Sequence, residues 1–240
     1  MTTSLSETIK QLVTANHIVA DQGVVDGFGH VSVRHPERSD RFLLSRSMAP
    51  SRVGPEDIIE HDENGAPLDA GGRAVYVERF IHAETYRSRP DVMAVVHSHS
   101  PSVIPFSISS VKLRPCYHMA SFLNDTARFE IRERFGRDTD LLISDADKGR
   151  YLARALGNAS VVLLRGHGSV TVGRDLPEAV FRAVYLELNA RIQTNAVALG
   201  GEIEFLTDEE AHAGTEANAA QTARPWALWS EQAQARRAMR

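Results

Sequence analysis

The chain has a single cysteine, Cys116, so it can form no intrachain disulfide and cannot build a cysteine-based zinc finger. It has no basic excess: 27 Lys and Arg against 31 Asp and Glu leave a formal charge of −4, which offers no attractive field to nucleic acid or an anionic membrane. No stretch approaches the roughly 18 apolar residues of a membrane span. The opening Met1-Thr2-Thr3-Ser4-Leu5-Ser6-Glu7 lacks the basic start and apolar core of a secretory leader. The expected setting is a reducing cytoplasm, with neither nucleic acid nor membrane as partner. Internal repeats, low-complexity tracts and linkers are also missing, so one α/β domain is expected over residues 1–240, with a helical tail from about 207.

What is present is an interleaving of helical and strand patterns. Ile9, Leu12, Val13 and Ile18 recur at helical spacing before Gly23, and a glycine-bracketed turn, Asp26 to His30, leads into the alternating strand Val31 to Arg34. Phe42 to Leu44 and Asp57 to His61 read as strands, the latter followed by a hairpin turn at Asp62-Glu63-Asn64-Gly65. A helix is predicted from about Ala74 to Arg87, a buried strand from Met93 to Val96, and a short helix within Ser102 to Ser110. Asp145 to Leu156 reads as a helix closed by Gly157, Ser160 to Leu164 and Ser169 to Val172 as strands, and Leu176 to Gly200 as a long helix with Val180, Val184, Leu188, Ile192 and Ala196 on one stripe.

Histidines gather at strand ends. Residues two apart in a strand point the same way, so His97 and His99 can present both rings to one point. His167 follows the second strongly apolar strand and is flanked by Gly166 and Gly168, which permit close backbone approach. Imidazole nitrogens with one carboxylate suit a divalent metal; Glu78, on a helix face four residues before His82, is the candidate acid. His82 is expected in the core or behind the ligands. His17, His35, His61 and His212 are expected at the surface.

The run Gly29-His30-Val31-Ser32-Val33-Arg34, Glu78-x-x-x-His82, Arg89-Pro90-Asp91, Ala94-Val95-Val96-His97-Ser98-His99 and Arg165-Gly166-His167-Gly168 resembles the class II aldolase/adducin family in order and spacing over about residues 5 to 205. The resemblance implies a three-layer α/β/α fold with a central, largely antiparallel sheet, and a cyclic homotetramer with active sites between subunits. It implies one divalent metal per subunit, zinc, manganese or cobalt, held by Glu78, His97, His99 and His167. His118 matches the position of the aldolases' catalytic tyrosine and is the expected proton-transfer residue, with Glu78 also placed in the catalytic set.

Within that family the phosphate-binding positions of the sugar-phosphate aldolases correspond here to Gly29-His30, Ser47-Met48 and Tyr76-Val77. Methionine, tyrosine and valine do not supply the small donors that phosphate requires. A flatter substrate bearing carboxylates is expected, met by His30, Arg46 and Ser47. Arg46-Ser47-Met48-Ala49-Pro50 and the tryptophan-containing tail resemble the family's decarboxylase branch, which acts on hydroxylated aromatic dicarboxylates. The resemblance leaves two alternatives, an aldolase or epimerase of an unphosphorylated carbonyl compound and a non-catalytic adducin-like scaffold.

Overall fold

The computed structural model describes residues 4–239; Met1 to Thr3, the start of the stretch expected to lack a leader, lie outside the described residues. Helix α1 (Leu5–Asp21) begins at Ser4, whose hydroxyl accepts from the Glu7 amide. Strands β1 (His30–Arg34), β2 (Arg41–Ser45) and β3 (Ile58–Asp62) follow, then α2 (Arg79–Ser88) and β4 (Ala94–Ser98). Next come α3 (Ile104–Ile108), β5 (Ala127–Phe129), α4 (Arg132–Phe135), α5 (Ala146–Leu156), β6 (Val161–Leu164) and β7 (Gly168–Gly173). The chain closes with α6 (Leu176–Leu199), α7 (Asp208–Ala219) and α8 (Ala223–Ala238). Among the described residues no helix is long and apolar enough to cross a membrane.

The seven strands form one sheet in the order β3-β2-β1-β4-β7-β6-β5, antiparallel throughout except where β5 runs parallel to β6. Alternation sorts its side chains into two packed faces. Val31, Val33, Leu43, Ala94 and Val96 meet α1, α6 and α8 on one side. Phe42, Leu44, Val95, Val162, Leu164, Val170 and Val172 meet α2 and α5 on the other. The result is the expected three-layer α/β/α arrangement. A third cluster packs Val161 and Leu163 of β6 with Phe106 of α3 and Phe181 and Leu186 of α6. Burying each Val, Leu or Phe contributes roughly 1.5–3 kcal/mol, so these clusters carry the fold while polar groups occupy the end of β4.

Three local expectations change. Helix α2 starts at Arg79 rather than near Ala74, because residues 74–77 are tied to the loop after β2: the Ala74 carbonyl accepts from the Ser47 amide at 2.8 Å, and the Tyr76 hydroxyl donates to the Met48 carbonyl at 2.6 Å. Glu78 is therefore the N-cap of α2 rather than a residue on its face. His17, His35 and His61 are buried rather than at the surface. Each has local partners: His17 Nε2 lies 2.9 Å from the Val53 carbonyl, His35 Nδ1 accepts from the Glu37 and Arg38 amides, and His61 stacks on Phe42 with centroids 5.0 Å apart. His212 is exposed as expected, at 79%. The short elements β5 and α4 carry too little periodicity to be read from sequence.

Candidate metal centre

Four donors converge where β4 ends. His97 is the penultimate residue of β4 and His99 lies just beyond it, so strand parity directs both rings to the face covered by α2. His167 comes from the tight turn between β6 and β7, where Gly166 takes a φ of 64° and the His167 amide closes back on the Leu164 carbonyl at 3.1 Å. Pairing of β4 with β7, with Ser98 opposite Ser169, carries this turn beside His99. Gly168 permits the approach, because a Cβ there would lie 2.0 Å from the Ser98 carbonyl oxygen. Glu78 reaches in from the start of α2, its side chain free of the capping role that an N-cap residue often takes.

One ligand atom from each of Glu78, His97, His99 and His167 falls within 4.8 Å of all the others. His97 Nε2 is 3.1 Å from His99 Nε2, and Glu78 Oε2 is 3.5 Å from the Nε2 atoms of both His97 and His167. Donors about 2.0–2.1 Å from a tetrahedral centre stand roughly 3.3 Å apart, so these separations match a single divalent ion. Two further observations support the fit. Among the described residues neither buried ring nitrogen of His167 has a hydrogen-bond partner, Nε2 having only the 3.5 Å ionic contact with Glu78, an arrangement that is costly unless something completes it. The outer atoms of two donors are already fixed: His97 Nδ1 donates to the Ser169 carbonyl at 3.0 Å, leaving Nε2 its lone pair, and Glu78 Oε1 accepts from the Ile143 amide at 3.0 Å.

Protonation follows the same logic. Burial pushes the Glu78 carboxyl up, but the His167 and His97 rings outweigh it and leave the group well below the usual carboxylate range. Burial, reinforced by the neighbouring His97 and His167 rings, brings His99 down to about 4. Behind the donors, burial is also the largest cause holding His30 and His82 well below 6.5.

Beside the donors opens a cleft of about 280 Å³, lined by Phe28, His30, Ser47, Met48, Tyr76, Val77 and Leu142 together with Glu78 and His99. Its walls are mainly apolar and aromatic, and Phe28 stands 71% exposed at the rim.

A model of the class II aldolase and adducin N-terminal domain matches residues 10–194. Decarboxylase tropJ of Talaromyces stipitatus is 38% identical over 244 aligned positions, covering 92% of this chain and 92% of that protein. The chain belongs to the class II aldolase and adducin family. The 3,4-dihydroxyphthalate decarboxylase of a Terrabacter species is 31% identical across 84% of this chain and 86% of its own length. Among solved structures, L-fuculose 1-phosphate aldolase from Glaciozyma antarctica superposes with a TM-score of 0.79 over 97% of this chain and 91% of that one; at 24% identity this is a likeness of fold.

On this class II aldolase fold the structure brings Glu78, His97, His99 and His167 together, with His30 and Ser47 on the wall of the adjoining cleft. It does not bring Arg46 or His118 to them. Arg46 pairs with Asp57 at 2.6 Å and is not among the residues lining the cleft. His118 is exposed at the start of a 3-10 segment, where its carbonyl accepts from Asn218 of α7 at 2.6 Å. Sequence reasoning missed the Ser169 carbonyl and the Ile143 amide, since backbone groups leave no signature. It also missed Leu142, presented by Leu141 in a left-handed conformation (φ 66°). Phe28 was marked only indirectly, by the glycines on either side.

Proposed function

We propose that the chain is a divalent-metal-dependent decarboxylase of a hydroxylated aromatic carboxylate. The observation that carries this reading is the cleft: a four-donor cluster opens onto aromatic and apolar walls, with His30 and Ser47 as its polar points. Tyr76 fills a place where a phosphate would need small donors, and its hydroxyl is already engaged by the Met48 backbone. The named activities of the two decarboxylase relatives support the same choice.

In this reading Glu78, His97, His99 and His167 hold one divalent ion, and three nitrogens with one oxygen suit zinc, manganese or cobalt. The chemistry such an ion supplies is Lewis-acid polarisation of an oxygen beside the breaking carbon–carbon bond. The protein's own groups do the rest. His30 and Ser47 orient a carboxylate, while Phe28, Met48, Tyr76 and Leu142 flank the ring and exclude water from the reacting carbon. His118, which does not line its own chain's cleft, acts as proton donor to the ring carbon from a neighbouring copy in a homotetramer working in the cytoplasm.

The test is incubation of metal-loaded protein with a panel of hydroxy-aromatic mono- and dicarboxylates and unphosphorylated aldol substrates, following carbon dioxide release and carbonyl products. Carbon dioxide from an aromatic acid supports the proposal. Carbonyl products without carbon dioxide would replace it with an aldol cleavage, and inertness of the metal-loaded protein toward the whole panel would reject it.

A further inference from the structure

Behind His30, a line of polar groups runs between β1 and α2, away from the cleft. His30 Nδ1 lies 2.6 Å from His82 Nε2, His82 Nδ1 lies 2.6 Å from Ser32 Oγ, and Ser32 Oγ lies 2.7 Å from the Tyr86 hydroxyl. All four residues are buried. Each contact holds one hydrogen between two atoms that can donate or accept, so fixing the direction of one fixes the others.

The innermost member decides. The Tyr86 hydroxyl has one hydrogen, and Ser32 Oγ is its hydrogen-bond partner among the described residues. If Ser32 donated to Tyr86, the phenolic hydrogen would be buried with no acceptor, an arrangement folded proteins avoid. Tyr86 therefore donates to Ser32, and Ser32 passes its own hydrogen to His82 Nδ1. With Nδ1 accepting, neutral His82 carries its hydrogen on Nε2 and donates to His30 Nδ1. His30 in turn holds its hydrogen on Nε2, the nitrogen that finds no protein partner among the described residues, in a ring that lines the cleft.

We propose that His30 is a hydrogen-bond donor of fixed polarity, presenting Nε2–H to an anionic oxygen of the substrate, and that Tyr86 and His82 of α2 and Ser32 of β1 are positioning residues that set this polarity from the layer between helix and sheet. The substrate's identity as an aromatic carboxylate rests on the function proposed above; the direction of the chain does not. A lone pair in the same place would repel a carboxylate, so the polarity selects an acceptor oxygen. Ser32 and Tyr86 act on the cleft without touching it.

Neutron diffraction from deuterium-exchanged crystals of the metal-loaded protein reads the chain directly. Deuterium on Nε2 of both His30 and His82 is expected; deuterium on Nδ1 of His30, alone or together with Nε2, overturns the proposal. Binding of salicylate to metal-loaded variants gives an independent readout. His82→Glu places an acceptor against His30 Nδ1 and reverses the ring, and is expected to weaken salicylate roughly ten- to a hundredfold, the scale of a lost hydrogen bond to a charged group. His82→Gln keeps a donor there and restores most of the affinity. Unchanged affinity in folded His82→Glu would also overturn the proposal. Wild-type protein that bound no salicylate would count instead against the aromatic-carboxylate reading, with the deuterium positions still deciding the polarity.

Discussion

A single carboxylate shows how tightly this site is balanced. Glu78 is 8% exposed and faces two imidazoles, with the Ile143 amide behind it. An ion buried this far costs several kcal/mol unless it is paired and hydrogen-bonded. Glu78→Gln keeps an oxygen for the Ile143 amide but removes the charge, and is expected to lower metal affinity at least about tenfold, measured as metal content after dialysis against a graded chelator. His61 offers a separate test through pH. Burial brings its pKa down to about 4, whereas an unfolded histidine titrates near 6.5. Between these values the unfolded state binds more protons, so stability rises with pH across the window and is lost on acidification toward 4. The contribution is at most on the order of 3 kcal/mol. Urea midpoints measured from pH 7 down to pH 4 should fall less steeply in His61→Leu than in the wild type.

At the scale of elements, the site depends on how closely β7 passes the end of β4. Gly168→Ala would drive a Cβ into the Ser98 carbonyl and to within 3.2 Å of His99 Cα. The strands must part, so a stability loss of at least about 1–3 kcal/mol should accompany a drop in bound metal, read by urea unfolding and elemental analysis of the same preparation. Much of this geometry was legible in the sequence. The apolar runs of β4 and β6 and the glycines around His167 give the ligand positions, and Asp145 and Gly157 mark the ends of α5. The start of α2 was not, because Tyr76 is tethered to a loop 28 residues away and overrides the helical pattern. Buried histidines were missed for a similar reason: the partner of His17 is a carbonyl 36 positions distant, and local hydrophobicity carries no trace of it.

The whole molecule separates chemistry from support across its sheet. Trp229 of α8 packs with α1 and α6 on the face opposite the cleft. Trp229→Ala should cost about 3–5 kcal/mol while leaving metal content unchanged, a dissociation that unfolding curves and metal analysis would show. Because His118 is proposed to serve a neighbouring subunit, His118→Phe should keep the metal, lose turnover, and regain part of it when mixed with His97→Ala subunits, whose intact His118 then faces the intact cleft of a His118→Phe neighbour. The two-sided plan also governs how the gene can change length. Alternation along β4 acts as a reading frame of two: one residue inserted between Val92 and His97 would deliver His97 to the side packed by α1 and α6, and a second would return it to the cleft. Insertions are expected to accumulate in the exposed turn after β3, while the span of β4 stays fixed by parity, a constraint that no scan of single substitutions would reveal.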